Sequence, residues 1–351
     1  MPNDFKTVAR EIADGIKSGL YVETLPSIAR LSEQFNICQA TVTRVLAQLR
    51  DWDLVSGEHG RCVRINPKAE GNEFFHKNVV ILANLFSVSM PFYEATLEML
   101  SNSMSMMYMS IHIFFSENQV QNCTFTPDCV LAVSNTAQVM LEAVVQRFPD
   151  CPVIRFNQVS NHYPYVTSDN RKAGYDAIRH LADDCGHTHI GILATQLKYT
   201  KGCFYDRYKG ALEYADKHPD IKLSMVEIPE LEMENHASFH LMEKLMEDNP
   251  EITAVFATCD MLAIGAYSYA TEHNLKIPDD LAVIGFDDQG FGKCLNPALS
   301  TFSENPLDTA QLLFKLIREA LQGKSAKRAL YSEPRLVVRG STSAHAKQHQ
   351  Q

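Results

Sequence analysis

No apolar run in this chain reaches the ~18 residues that a membrane-crossing helix needs. The opening stretch MPNDFKTVAREIADG also lacks a secretory apolar core. The expectation is a cytoplasmic protein with no membrane partner. Nine cysteines occur without one CxxC pair, which argues for reduced, mostly buried thiols. Phosphate-binding loops are missing as well. Gly323-Lys324-Ser325 has only the tail of one, because position 318 is Arg318 and the tripeptide ends a helix instead of starting it. No GxGxxG follows a strand, and no GxSxG occurs. Cys185-Gly186-His187-Thr188-His189 has metal-ligand residue types, but alternating positions entering a strand face opposite sides. No metal and no cofactor are expected. Basic charge is also in short supply: 32 Lys and Arg against 42 Asp and Glu give a net charge of −10. That excludes coating nucleic acid along a whole surface. Acidic and basic residues nearly balance over the first seventy positions, however, so a local basic patch there remains open.

What is present divides in two. At 351 residues the chain exceeds one ordinary core. Asp4–Ser18 has apolar residues at helical spacing: Phe5, Val8, Ala9, Ile12 and Ile16. Ser27 is placed to cap a second helix that runs through Phe35. Gln39–Trp52 reads as a third helix, burying Val42, Val45, Leu46 and Leu49. Two short β segments, Leu54–Ser56 and Arg61–Ile65, flank a turn at Gly57-Glu58-His59-Gly60. Three helices and a hairpin make a winged helix-turn-helix over 1–66. The Pro/Gly/charge mixture PKAEGNEFF marks a linker over 67–77.

From Asn78 to position 341 apolar runs alternate with helical patterns. The runs include NVVILAN, Tyr108–Phe115, Cys129–Val133, Val153–Phe156, Ile190–Leu193, Leu223–Ile228, Ile252–Ala257, Leu281–Phe286, Ser300–Phe302 and Leu336–Arg339. Helices are expected at Phe92–Met107, Gln138–Phe148, Asp169–Ala182, Phe204–Lys217, Ser238–Glu247 and Leu307–Leu321. Between Phe115 and Cys129 only a polar, helix-poor segment is foreseen. Such alternation is too long for one compact sheet, so two α/β subdomains with parallel sheets around a cleft fit best. The His/Gln-rich residues 342–351 read as a disordered tail. Met99, Met104, Met106, Met107 and Met109 suit core or dimer filling.

Parallel strands bring their carboxyl ends to one rim, where open α/β sheets bind ligands. Asp260 and Asp287 end neighbouring strands there, Arg207 opens a helix after Ile190–Leu193, and Asp169 begins the helix entering the second subdomain. Carboxylates accepting from hydroxyls beside a donating guanidinium would suit a sugar or polyol. Asn157 and the Ser134-Asn135 corner are further candidates. Each has a plainer role available: Asp169 and Asp260 as helix caps, Asp288 as a turn residue, and Arg207 with Asp287 as a structural ion pair.

Two resemblances sharpen this reading. LPSIARLSEQFNICQATVTRVLAQL followed by LVSGEHGRCV resembles the GntR superfamily. That resemblance implies DNA contacts from Gln39, Ala40, Thr41, Thr43 and Arg44 on the third helix, with Arg30 and the wing residues His59, Gly60 and Arg61 beside them. The family often has Arg where Ala29, Gln39 and Thr43 stand. Over about 75–341, the ordered segments SDNRKAGYDAIRHL, CGHTHIGIL, RYKGALEYA, FATCDMLAIGA, IPDDLAVIGFDD, NPALSTFSENPLDTA and PRLVVRGST are similar to LacI/GalR-type sensor domains. These are built like periplasmic sugar-binding proteins. The resemblance implies effector contacts at Arg207 and Asp287, the Cys259-Asp260 corner close by, and Phe92 and Tyr93 at the cleft floor. Asn is common in that family where Cys259 stands, and a thiol lacks the donor and acceptor of an amide, so a different ligand is implied.

The expected fold is therefore α/β: a winged helix-turn-helix plus a two-subdomain, periplasmic-binding-protein-like (type I) domain. Such fusions resemble the arabinose-responsive branch of GntR repressors. The expected function is a dimeric transcription regulator, a repressor, whose grip on a near-palindromic operator follows a small ligand, a sugar. The alternative keeps the DNA-binding module and makes the large domain a ligand-independent dimerisation or protein-partner platform. A sugar-acting α/β enzyme would need a nucleophile or acid–base pair that the residues do not assemble.

Overall fold

A computed structural model describes residues 5–57, 62–69, 72–85, 90–134, 138–198, 202–228, 237–324 and 328–342. The chain falls into two compact units, one of 1–79 with 102–112 and one holding the rest.

In the first unit three helices, α1 (Phe5–Lys17), α2 (Ile28–Phe35) and α3 (Gln39–Asp51), precede a two-residue antiparallel ribbon of β1 (Val55–Ser56) and β2 (Arg64–Ile65). The spacing seen in the sequence is what builds it: Val8, Ala9, Ile12 and Ile16 of α1 meet Val42, Val45, Leu46 and Leu49 of α3 in one core. Ser27 caps α2, its hydroxyl accepting from the Arg30 amide at 3.3 Å. The expected linker needs correction. Ala69 and Phe75 are fully buried in this same core, and Phe75 stacks on Tyr108 at 5.4 Å. The apolar residues scattered through PKAEGNEFF outweigh its Pro/Gly character. The wing tip, with His59, Gly60 and Arg61, lies outside the described residues.

The large region contains two six-stranded sheets. The first has the order β13-β7-β6-β5-β3-β4 and the second β14-β12-β11-β10-β8-β9. In chain order the first-sheet strands are β3 (Asn78–Leu82), β4 (Ser110–Phe114), β5 (Cys129–Val133), β6 (Val153–Phe156), β7 (Tyr165–Ser168) and β13 (Ala329–Ser332). Its helices are α4 (Pro91–Met106), α5 (Glu117–Gln121), α6 (Gln138–Arg147) and α11 (Pro306–Leu321). The second sheet comprises β8 (His189–Thr195), β9 (Lys222–Ile228), β10 (Ala254–Ala257), β11 (Ala282–Phe286), β12 (Ser300–Ser303) and β14 (Arg335–Val337). Its helices are α7 (Asn170–Arg179, continued by a π turn to Asp184), α8 (Cys203–Lys217), α9 (Ala237–Asp248) and α10 (Asp260–Glu272).

Period-two alternation splits the second sheet's side chains between two cores. Ile190, Ile192, Phe256 and Ile284 join Ala177 and Tyr214 of α7 and α8 on one face. Leu193, Val255 and Val283 join Leu262 and Ala266 of α10 on the other. Burial on both faces is why these parallel strands read as unbroken apolar runs. The chain crosses between sheets three times: from β7 to α7, from β12 to α11 and from β13 to β14. The crossings are bonded to one another. The Asp169 amide donates to the Ser332 carbonyl at 2.8 Å, and the Ser168 hydroxyl donates to Glu304 at 2.5 Å.

Several expected boundaries move. The segment after Phe115 is not without helix, since Ser116 and Gln119 form a capping box that starts α5. β4 begins at Ser110, because Tyr108 has a left-handed φ of +59° that no strand continues through. Thr342 does not belong to a tail: it is buried and donates to Ser300 at 2.7 Å. β13 has no counterpart in the sequence reading. Among the methionines, Met104 and Met109 are buried while Met106 is 81% exposed. No described helix is long and apolar enough to cross a membrane.

Candidate functional site

The carboxyl ends of β8, β10, β11 and β12 form one rim, as parallel strands must, and Arg207 is the centre of what gathers there. It lies in the first turns of α8 and is 2% exposed. Its Nε donates to Asn170 Oδ1 at 2.9 Å and its Nη1 to the Thr258 carbonyl at 2.7 Å. Nη1 also lies 3.5 Å from Asp287 Oδ1. The guanidinium sits 3.3 Å from the centroid of the Phe286 ring, a cation–π contact in a desolvated place. Its position depends on a close helix approach, for a Cβ on Gly174 of α7 would overlap the carbonyl oxygen of Arg207. Burial opposes the Arg207 charge, but Cys203, Asp287 and Glu304 around it outweigh burial and raise its pKa.

Asp287 stands where β11 ends, with φ of +113°, followed by Asp288 at +49°. Such a backbone costs on the order of 1–3 kcal/mol and marks a place where position matters more than ease. Burial lifts the Asp287 pKa to about 7; Arg207 opposes the rise and Glu304 adds to it. Its side chain remains 16% exposed at the rim. Asp260 is different. It is completely buried, accepting from the Thr301 hydroxyl at 2.6 Å and the Gln289 amide at 2.8 Å. Burial first, and then the Asp287 charge, raises it to about 7. A Cβ on Gly285 would overlap its Oδ1. Asp260 is thus a brace that ties α10 to the turn after β11, with both oxygens engaged inside. Cys259 is 3% exposed in an apolar cluster, and burial raises its thiol pKa.

The other sequence candidates fall into place as follows. Asp169 caps α7, accepting from the Lys172 amide at 3.0 Å, which is its plainer role. Asp288 pairs with Arg339 at 2.5 Å. In the first sheet, Asn157 follows β6 and donates to Tyr93 Oη at 2.6 Å while accepting from the Thr167 hydroxyl at 2.9 Å. This leaves the Tyr93 O–H able to donate elsewhere. Phe92 and Tyr93 pack on Phe156 at 5.8 and 5.2 Å, so both are partly core. Burial, then Cys203 and Glu304, raises the Tyr93 pKa. Asn135 lies outside the described residues.

Glu304, Asn170, Ser168 and Cys203 went unnoticed in the sequence. Glu304 is buried, which raises its pKa against the opposing effects of Arg207 and Ser168. The rim argument that selected Asp260 and Asp287 applies equally to the exit of Ser300–Phe302, where Glu304 stands. Among the described residues no cluster of three or more His, Cys, Asp or Glu could hold a metal.

On the first unit, Gln39, Ala40 and Arg44 of α3 and Arg30 of α2 are exposed. Arg44 lies over the Phe5 ring at 4.1 Å, and the Thr43 hydroxyl donates back to the Gln39 carbonyl at 3.1 Å. Thr41 is hydrogen-bonded to Cys38 at 3.2 Å. Gln39 and Ala40 are the least encumbered of the set.

Two lobes meeting at the carboxyl rims of parallel sheets, with three crossings between them, define a periplasmic-binding-protein-like architecture. Residues 170–342 match the family model of the periplasmic binding protein-like domain. The repressor PurR of Mannheimia succiniciproducens is 32% identical over 179 residues, 50% of this chain and 52% of that protein. PurR of Haemophilus influenzae is 27% identical over 57% of this chain and 60% of its own. This chain thus spans about half the length of the curated relatives it matches, and those relatives are transcription repressors. Among solved structures, the regulator CcpA of Lactococcus lactis superposes with a TM-score of 0.63 at 17% identity, covering 76% of this chain and 99% of that one. A LacI family regulator of Enterococcus faecium with bound ribose gives 0.61 at 18%, again 76% and 99%. The complex of the regulator CelR with cellobiose gives 0.61 at 16%, covering 90% and 100%. At such identities the likeness establishes the fold alone: the large region is built like the matched regions of these regulators.

Proposed function

We propose that this protein is a DNA-binding transcription repressor whose operator affinity is set by a small polyhydroxylated ligand, a sugar, held between the two lobes. The observation that carries this reading is the pairing of Arg207 with Asp287 on the rim of one sheet, opposite Tyr93 and Asn157 on the rim of the other. Guanidinium, carboxylate, amide and phenol supply the donors and acceptors that hydroxyls require, and Phe92 and Phe204, whose ring centroid is 5.4 Å from the Arg207 guanidinium, supply apolar surface for C–H faces. The ribose and cellobiose complexes of similarly folded regulators support the ligand class.

The first unit serves as a GntR-type winged helix-turn-helix, with Gln39, Ala40, Thr41, Thr43 and Arg44 toward the major groove and Arg30 toward phosphate. The wing residues His59, Gly60 and Arg61 and the arabinose-responsive kinship rest on the sequence resemblance alone. Two copies read a near-palindrome. Ligand shifts lobe closure through the three crossings, which changes the separation of the paired reading heads and couples effector to operator. The protein acts in the cytoplasm and catalyses no reaction.

A second reading, a ligand-independent platform, is favoured by the completeness of Arg207's internal bonds to Asn170 and Thr258. Gel shifts on the DNA upstream of its own gene, with a panel of pentoses, hexoses and purines, separate the two. A specific complex released by one compound supports the first reading. A specific complex that none releases supports the second. Equal affinity of the protein and its Gln39→Ala/Arg44→Ala variant for operator and scrambled DNA removes the reading head from α3.

A further inference from the structure

Arg155 of β6 is a second buried guanidinium, 4% exposed. Among the described residues no hydrogen bond or ion pair gives it a carboxylate. Its Nη2 donates to the Ser134 carbonyl at 3.1 Å, and its Nη1 reaches Gln138 Oε1 only at 3.5 Å, the outer limit of a bond. Its Nε is closed off from solvent and has no hydrogen-bond partner among the described residues. A buried charge left with neutral, incomplete acceptors is costly, and burial lowers its pKa.

Arg155 forms part of the wall of a cavity of about 430 Å³ between α6 and the loop 158–163. That volume is within the usual range of small-molecule sites, roughly 300–1,000 Å³. One exposed side chain, Gln138, currently bridges the cavity's charges. Its carbonyl faces Arg155, while its Nε2 donates to Glu142 Oε1 at 3.0 Å. A single amide thus offers an acceptor to the cation and a donor to the anion. Gln158, Ser160 and His162 line the opposite side.

We propose that this cavity is a second small-molecule site, apart from the cleft between the lobes. It takes a small carboxylate with a hydrogen-bond donor beside it, the chemistry shared by α-amino acids and hydroxy acids. The carboxylate displaces the Gln138 carbonyl at Arg155, and the adjacent ammonium or hydroxyl takes the place of the Gln138 amide on Glu142. A charge-assisted hydrogen bond at Nη1 replaces a neutral contact at its limiting distance. Inorganic phosphate, largely a dianion above neutral pH, sets a second negative charge against Glu142 where the carboxylate ligands set none, so it is disfavoured.

The test is calorimetric titration of the intact protein with L-alanine, L-glutamine, L-lactate, D-gluconate and inorganic phosphate. We expect at least one carboxylate to bind and phosphate not to. Arg155→Met should weaken that binding about tenfold or more, the loss of one charge-assisted contact. Glu142→Ala, at an exposed position, tests the same site without disturbing the core. It should weaken L-alanine more than L-lactate if an amino acid is the ligand, and both alike if a hydroxy acid is. Binding by none of the four carboxylates, phosphate binding equal to theirs, or affinity untouched by Arg155→Met or by Glu142→Ala would overturn the proposal.

Discussion

Arg207 and Arg155 are both buried, one in each lobe, yet their surroundings are opposite. Arg207 has a carboxylate at 3.5 Å, a second acid in Glu304 among the charges acting on it, two hydrogen bonds under 3 Å and an aromatic face beneath. Arg155 has a carbonyl, a distant amide oxygen and, among the described residues, no partner for its Nε. Two charges of the same kind therefore contribute in different ways. The first is balanced by its lobe, so removing it leaves acids stranded. The second is supported by little, so removing it strands no charge.

Substitution at the two sites tests that contrast most strongly. Arg207→Met should destabilise the fold by about 3–5 kcal/mol at pH 8, the usual result of leaving a buried partner charge uncompensated. At pH 5.5, where Asp287 with its pKa of about 7 is protonated, the loss should shrink. Chemical denaturation at the two pH values measures both. Gly174→Ala, which presses on the Arg207 backbone without touching its charge, should cost about 1–3 kcal/mol with no such pH dependence.

A third prediction concerns protons. Burial raises Asp260 and Asp287 to about 7 from the ordinary 3.8 of an aspartate, so the folded chain keeps protons that the unfolded chain releases. That stabilisation is complete below about pH 4 and is lost as pH rises through about 7. Asp287→Asn should flatten the decline, as denaturation midpoints across this window would reveal. The smallest effect is expected at the other arginine. Arg155→Met, replacing an uncompensated cation by an apolar side chain of similar length, should alter stability by less than about 1 kcal/mol in either direction. A loss as large as that at Arg207 would erase the distinction.

The contrast also explains what the sequence made legible. Parallel strands buried on both faces announce themselves as apolar runs, so the bounds of β5 and β6 are readable to the residue, and the carboxyl ends of β11 and β8 direct attention to Asp287 and Arg207. β13 escaped because Ala329 and Tyr331 are exposed and four residues carry little pattern. Glu304 was hidden in a segment that reads as a turn, with Asn305 capping the next helix. Asp260 was legible as a rim residue but not as a brace, since the Thr301 and Gln289 groups that occupy it come from sequence positions far away. Arg155 went unseen for a related reason. Within the run Val153–Phe156 an arginine looks like an outward residue, and only the packing of α6 above it reveals a buried cation.

The coupling of a cleft ligand to DNA release is the heart of the functional account. Anisotropy of labelled upstream DNA, titrated with the compound that releases it, measures that coupling in the intact protein and in Asp287→Asn. We predict that the variant, still able to bind DNA, will need at least about tenfold more ligand for half-release. Identical release curves for the two proteins would contradict the account.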